Sequence, residues 1–164
     1  MSAVRKLSGR LAMAGLGLVC GAAVLLALLA QHRYGMEPCP WCILQRMLFV
    51  LIAVGSLVAA ALPGMGRRLL SIVLLPFALG GVAAALWQHF VAAKTNSCAL
   101  TFADKVIGFF GFDTRWPEVF EVRATCADAA VSVLGVPFEF WSLALFALAG
   151  MVMLYSAVTA DRRA

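Results

Sequence analysis

Four long runs of apolar residues constrain this chain more than any other feature of its sequence. A helix needs about 20 mainly apolar residues to cross roughly 30 Å of membrane hydrocarbon. Because the hydrocarbon holds no water, each crossing segment must satisfy its own backbone hydrogen bonds, which a helix does. The runs predict membrane-spanning helices at residues 11–30, 44–62, 69–92 and 140–159.

The composition excludes a soluble protein of this length. Of the 164 residues, 63% are hydrophobic and 13% are charged, whereas soluble domains are about one quarter charged. We therefore predict an all-α membrane protein, a bundle of four transmembrane helices with a long second periplasmic loop. The short connections between the helices indicate a single membrane domain, residues 1–164.

The first apolar run also has to be compared with a secretory signal peptide. Arg5, Lys6 and Arg10 precede it, as basic residues precede a signal sequence. Its apolar length exceeds that of a typical signal sequence, and no clear cleavage site of small residues follows. We interpret it as a retained first span.

Charged residues orient the predicted helices. Short basic flanks remain in the cytoplasm, and the termini together with the 63–68 turn carry seven basic residues: Arg5, Lys6, Arg10, Arg67, Arg68, Arg162 and Arg163. Both termini are therefore expected in the cytoplasm, with loops 31–43 and 93–139 in the periplasm. The basic clusters lie at span ends without interleaved aromatic residues, so they argue against nucleic-acid binding.

Four of the five cysteines fall in the predicted outer loops: Cys39, Cys42, Cys98 and Cys126. Their placement suits an oxidising compartment in which disulfides persist. The exception, Cys20, lies inside the first span and is interpreted as a small packing residue. Two structural disulfides and two redox-active pairs both remain possible from this placement.

The pair Cys39 and Cys42 has the spacing of a redox dithiol. A disulfide across this C-x-x-C motif closes a very small ring, which stabilises a fold little. The motif also precedes the second span, where the partial positive charge of a helix N-terminus would stabilise a thiolate. Arg46 follows Cys42 by four residues and lies on the same helical face.

Arg46 lies about one turn inside the second span, where a charge is costly without a partner. One interpretation is an arginine that extends to the lipid phosphates. The other is that its permanently charged, forked guanidinium holds a polar oxygen of a bound ligand and favours a thiolate at Cys42.

Metal and haem sites fit the cysteine spacing poorly. A structural zinc site uses four ligands, usually in two close pairs, but Cys98 and Cys126 are 28 residues apart. A c-type haem requires histidine directly after the second cysteine, and Ile43 is there. We expect no metal.

The long loop 93–139 is expected to be mobile, because a disulfide that accepts an incoming thiolate has to be exposed. Residues 102–110 are apolar around two central charges. They predict a short helix that lies either on the bilayer surface or against the bundle.

Taken together, these motifs resemble the disulfide bond formation protein B (DsbB) family of quinone-linked oxidases in bacterial inner membranes. The resemblance covers nearly the whole chain. It depends on the four spans, the Cys39–Cys42 motif, Arg46, Cys98 and Cys126, and Leu-Gly-Val-Pro at 134–137 followed by Trp141.

The resemblance implies an activity and a path for electrons. A reduced periplasmic protein of the DsbA kind would attack Cys98 and release Cys126, which would exchange with Cys39. Cys42 would then remain as a thiolate beside a membrane quinone, either ubiquinone or menaquinone.

The resemblance also implies which residues bind the quinone. Arg46 would hold a quinone oxygen, and His89 falls where the family carries a histidine near the ring. Gln45 stands where some members have an acidic residue, which puts a proton-transfer role there in doubt.

Two alternatives come from the residues themselves. A vitamin K epoxide reductase-like enzyme shares the helical bundle and a C-x-x-C motif, but there the motif generally belongs to a later span. A small four-span transporter or scaffold with structural disulfides would differ in chemistry altogether. Transport predicts ionisable residues in mid-span, and only Arg46 and His89 approach this.

Overall fold

The computed structural model describes residues 2–94 and 101–160, with side chains from Leu7 onward. Four long helices dominate it: α1 (Ser2–Tyr34), α2 (Pro40–Ala61), α3 (Gly64–Phe90) and α7 (Phe138–Thr159). Each contains a segment that is long and apolar enough to cross a membrane. The prediction of an all-α, multi-pass membrane protein with four spans is confirmed.

Local signals fix both ends of α2. Pro40 occupies the first helical position, where its missing N–H costs nothing and its fixed φ suits the helix. Leu62 is extended, and Pro63 directly after it caps the start of α3. The helix begins four residues before the predicted start at residue 44, so the C-x-x-C motif lies in its first turn.

The four long helices pack around one apolar core. Helix α1 contacts α2 and α7, and α3 contacts the same two helices. At the centre, the rings of Phe49 and Phe146 stack with centroids 4.0 Å apart. Cys20 is fully buried in this core, which fits a packing role. Large apolar side chains on the outer surfaces of the helices are exposed, among them Leu18, Leu25, Leu79 and Val158, as lipid contact requires.

Short elements occupy the segment between α3 and α7. They are a 3₁₀ turn (Ala92–Lys94), α4 (Phe102–Phe110), α5 (Phe112–Arg115), α6 (Pro117–Phe120) and the antiparallel hairpin of β1 (Ser132–Val133) and β2 (Val136–Pro137). Thr101 and Asp104 form a reciprocal capping box at the start of α4. The helix ends at Gly111, whose φ of 63° suits glycine.

Part of this segment packs against the bundle. Ala103 and Ile107 of α4 are buried, and Phe120 of α6 joins Ile107 and Ile43 in one apolar cluster. The sequence left open whether the helix at residues 102–110 lies on the bilayer surface or against the bundle. One face of α4 packs against the bundle, because small and branched side chains at helical spacing form a buried face. The other face of α4 leaves Phe102 and Phe109 exposed.

Candidate functional site

Three cysteines lie together at the N-terminus of α2. The sulfur atoms of Cys39 and Cys42 are 2.8 Å apart. Cys126, which is distant in sequence, is buried in the same cluster as Cys39. Cys98, the fourth cysteine that the sequence singled out, lies outside the described residues. The fold thus brings a cysteine of the long loop to the C-x-x-C motif.

The geometry of the helix start explains how Cys39 is held. Cys39 is the N-cap residue of α2, and its sulfur accepts a hydrogen bond from the backbone N–H of Cys42 at 3.3 Å. Serine or asparagine oxygen usually fills this role. A sulfur atom that caps the helix also stays next to the second cysteine of the motif.

The thiol of Cys39 lies between two other sulfurs, those of Cys42 and Cys126. The pKa of Cys39 is raised by its hydrogen bond to Cys126, by its hydrogen bond to Cys42 and by its burial. The bond from Cys39 lowers the pKa of Cys126 from the ordinary value, and the backbone N–H of Trp41 adds to this. In the reduced protein a thiolate therefore forms more readily on Cys126 than on Cys39.

Two buried amides connect to Cys42. Gln45 donates from Nε2 to Oε1 of Gln88 at 2.7 Å, and Gln88 donates from Nε2 to the sulfur of Cys42 at 3.3 Å. Both glutamines are buried, one in α2 and one in α3. A donor aimed at sulfur stabilises its charged form more than its neutral form. Gln45 is connected to this sulfur through Gln88.

Arg46 is buried and has partners within the protein. Its Nη1 donates to Oε1 of Gln31 at 3.0 Å and also to the carbonyl oxygen of Val119. Gln31 in turn donates from Nε2 to the carbonyl oxygen of Glu118 at 3.4 Å. The guanidinium therefore lies between the end of α1 and the backbone of α6.

A cavity of about 690 Å³ opens beside these residues. Its walls come from α1, α2, α3, α7 and the hairpin, and they are mainly apolar. The polar and titratable groups on its lining are Tyr34, Cys42, Gln45, Arg46, Gln88, Glu139 and Ser142. A mainly apolar cavity of this size with a few polar groups is typical of a small-molecule site.

His89 is not among the described residues that line this cavity. Its Nδ1 lies 2.6 Å from Oε1 of Glu139, a buried residue in the first turn of α7. Glu139 does line the cavity. The family resemblance implied that His89 lies near the quinone ring. In the structure it is Glu139, the hydrogen-bond partner of His89, that lines the cavity.

Comparison with known proteins identifies the family. The family model for disulfide bond formation protein DsbB matches residues 9–156. The chain belongs to the DsbB family. Disulfide bond formation protein B of Aromatoleum aromaticum is 35% identical over 147 residues, which cover 86% of this chain and 87% of that protein. Disulfide bond formation protein B 1 of Pseudomonas putida is 32% identical over 142 residues, or 84% and 83% of the two chains.

Membership of the DsbB family decides between the alternatives that the sequence left open. The chain is a membrane protein that acts as a disulfide oxidoreductase. A transporter or a scaffold with permanent disulfides does not fit this family. The resemblance drawn from the cysteine motif, Arg46 and the four spans is thus confirmed.

The sequence did not identify three polar residues of this DsbB-family site: Gln31, Gln88 and Glu139. Each is buried although it lies in, or at the end of, a membrane-spanning helix. Polar groups in such positions are costly and commonly functional. That signal is readable in the sequence for Gln88, whereas the partners of all three depend on how the helices pack.

Proposed function

We propose that this chain reoxidises a soluble dithiol protein of the DsbA kind and transfers the electrons to a membrane quinone. One observation supports this most directly. Cys126 packs in the same buried cluster as Cys39, and the sulfur of Cys39 contacts that of Cys42. Cys42 in turn lines an apolar cavity. The three sulfurs thus form a continuous path from the long loop to a site within the bilayer region.

The cavity suits a quinone in both size and chemistry. Its apolar walls match a ring and an isoprenoid tail, and Arg46 and the two amides supply donors for carbonyl oxygens. Both described hydrogen bonds of Arg46 use Nη1, and a guanidinium has five N–H donors. Nε and Nη2 would hold a quinone oxygen. When bound, the quinone would accept the electron pair from the cysteines and become a quinol.

The cysteines would carry the electrons by thiol–disulfide exchange. In the oxidised chain, Cys98 would pair with Cys126 and Cys39 with Cys42. A thiolate of the partner attacks Cys98, and Cys126 leaves as a thiolate. Cys126 then attacks Cys39, which forms a Cys39–Cys126 bond and frees Cys42 as a thiolate.

A return exchange would complete the cycle. The second thiol of the partner displaces Cys98, and the partner leaves oxidised. Cys98 then attacks Cys126, which re-forms their bond and frees Cys39. Cys39 and Cys42 are now a dithiol that holds the electron pair beside the cavity.

The charge distribution supports an orientation. The basic residues Arg10, Arg67 and Arg68 lie at the end of the bundle opposite Cys39. By the positive-inside rule this end would face the cytoplasm. Both termini would then be cytoplasmic, and the cysteines would face the periplasm of a bacterial inner membrane. The chain would act as a single membrane domain.

Reconstitution with a reduced DsbA-like protein and ubiquinone tests this proposal. Cys42→Ser should abolish quinone reduction, whereas a transporter or scaffold would lose only stability. Cys98→Ser should stop attack by the partner while quinone still oxidises Cys39 and Cys42. Cys20→Ser is the matched control and should behave as wild type. Normal oxidation of the partner by the Cys98 variant would contradict the proposed site of attack.

A further inference from the structure

The lining of the cavity includes one carboxyl group among the described residues, that of Glu139. Only 6% of Glu139 is exposed, and its Oε1 lies 2.6 Å from Nδ1 of His89. A buried carboxyl in a membrane-spanning helix is costly even when it has a partner. Packing of α7 against α3 needs no such group, since an apolar pair would join them at lower cost.

The partner of Glu139 extends toward the surface. The side chain of His89 is 30% exposed, and its ring contacts the rings of Phe90 and Phe140. Glu139 lies on the cavity wall, and His89 does not. The pair is therefore a short hydrogen-bonded connection from the cavity to the surface of the bundle, flanked by aromatic side chains.

The other polar groups of the cavity are poorly suited to move protons. The amides of Gln45 and Gln88 do not exchange protons near neutral pH, and the guanidinium of Arg46 stays charged. Tyr34 is 78% exposed at the end of α1. Cys42 is itself the electron donor, and the aliphatic hydroxyl of Ser142 does not ionise near neutral pH. Within the described part of the lining, this leaves the carboxyl of Glu139.

We propose that Glu139 is the proton-transfer group of the cavity and that His89 connects it to the outer surface. This inference rests on the proposed quinone reduction. Formation of the Cys39–Cys42 bond from two thiols releases two electrons and two protons, and a quinone takes up two of each to become a quinol. One of the two thiol protons goes to water when Cys42 becomes a thiolate. As the bond forms, the quinone takes its first proton from the Cys39 thiol and its second from Glu139. Glu139 is then reprotonated through His89, whose ring takes a proton from water, so that electrons and protons balance.

Glu139→Gln separates this role from a structural one. The amide can hydrogen-bond Nδ1 of His89 in either tautomer, since its oxygen accepts and its nitrogen donates. It has no carboxyl proton to release. We expect the single-turnover rate of quinol formation to fall on the order of 100-fold, as for loss of a general acid. Quinone affinity and thermal stability should stay near those of wild type. Glu139→Asp should restore much of the rate, and the pH profile of the glutamine variant should lose one ionisation.

The chain offers matched controls. Glu121 and His32 are exposed residues that form ion pairs with Arg123 and Glu118 away from the cavity. Glu121→Gln controls for Glu139→Gln, and His32→Gln controls for His89→Gln. Neither control should change the rate or the pH profile. A slow Glu121 variant would show that loss of any outer carboxylate has this effect and would overturn the inference.

Infrared difference spectroscopy supplies a readout other than activity. Reduction of the Cys39–Cys42 bond by a soluble dithiol, in protein without quinone, should change a carboxyl band that is absent from Glu139→Gln. Isotope-labelled glutamate in wild type gives the same test if the variant does not fold. An unchanged glutamate band, or a glutamine variant with wild-type rates at every pH, would overturn the inference. Absence of any quinone reduction by wild type would instead contradict the proposed function.

Discussion

Arg46 in α2 donates a hydrogen bond from Nη1 to the carbonyl oxygen of Val119 in α6. The same nitrogen bonds Gln31, which also holds the carbonyl oxygen of Glu118. A residue on the wall of the cavity thereby fixes a segment of the long loop. The segment that Arg46 holds continues toward Cys126, so Arg46 would both position this segment and, as proposed, bind the quinone.

We expect Arg46→His to weaken quinone binding more than partner binding. A hydrogen bond to a charged group is worth about 1.5–3 kcal/mol, so the Kd for quinone should rise roughly 10-fold or more. Titration of the quinone-free protein with quinone, and the rate of mixed-disulfide formation with the partner, measure the two effects. Arg33→His, a change of an exposed arginine, is the control. An unchanged quinone Kd in the Arg46 variant would contradict the assigned role.

Hydrophobicity and spacing predicted much of this fold. The four spans follow from the length of the apolar runs, and the C-x-x-C motif and Arg46 follow from their positions relative to the second span. The predicted start of α2 is too late because hydropathy alone defined it. Pro40, which favours the first helical position, marks the true start. The contact of Cys126 with Cys39 joins distant parts of the chain, and only the family resemblance implied it.

Contacts between helices explain what the sequence could not supply. Gln88 and Gln45 meet because α2 packs against α3, and Glu139 reaches His89 because α7 packs against α3. Periodicity indicates which residues share one helix face. It does not indicate which residue of the next helix faces them.

Gln88→Met should reduce the share of Cys42 that is present as a thiolate. Methionine keeps the length of the side chain but removes the N–H that points at sulfur at 3.3 Å. Loss of a bond of this kind corresponds to a roughly 10-fold slower alkylation of Cys42 near neutral pH. Gln45→Met should have a smaller effect, because Gln45 acts through the orientation of Gln88. Equal alkylation rates in wild type and the Gln88 variant would contradict this role.

The hydrogen bond from Cys39 should also set the pH dependence of Cys126. It lowers the pKa of Cys126 and raises that of Cys39. A lower pKa gives more thiolate, the reactive form, at a given pH. In the fully reduced protein we expect Cys126 to be alkylated at lower pH than Cys39, as followed by mass spectrometry of the labelled peptides.

Cys39→Ala tests the cause of this difference. The variant lacks the donor, so alkylation of Cys126 should require a higher pH than in wild type. Cys20→Ala removes a thiol from the bundle core and should leave the profile of Cys126 unchanged. If Cys126 titrates identically with and without Cys39, the hydrogen bond between them does not control its reactivity.

Gly81 and Gly80 offer a test of the bundle that is independent of the cysteines. A Cβ atom on Gly81 would lie 2.3 Å from Cδ1 of Phe146, whereas a Cβ on Gly80 would meet no atom within 4 Å. Small residues let membrane helices approach closely, and here Gly81 admits the ring that stacks on Phe49.

Gly81→Ala should therefore destabilise the bundle by about 1–3 kcal/mol, the usual cost of overpacking. Gly80→Ala should be neutral or stabilise it by up to about 1 kcal/mol, since alanine favours helix over glycine. Thermal unfolding of both variants in detergent measures the difference. The Phe146 ring is held between α3 and Phe49 and has little room to move, so an equally stable Gly81 variant would mean that α3 and α7 do not pack as described.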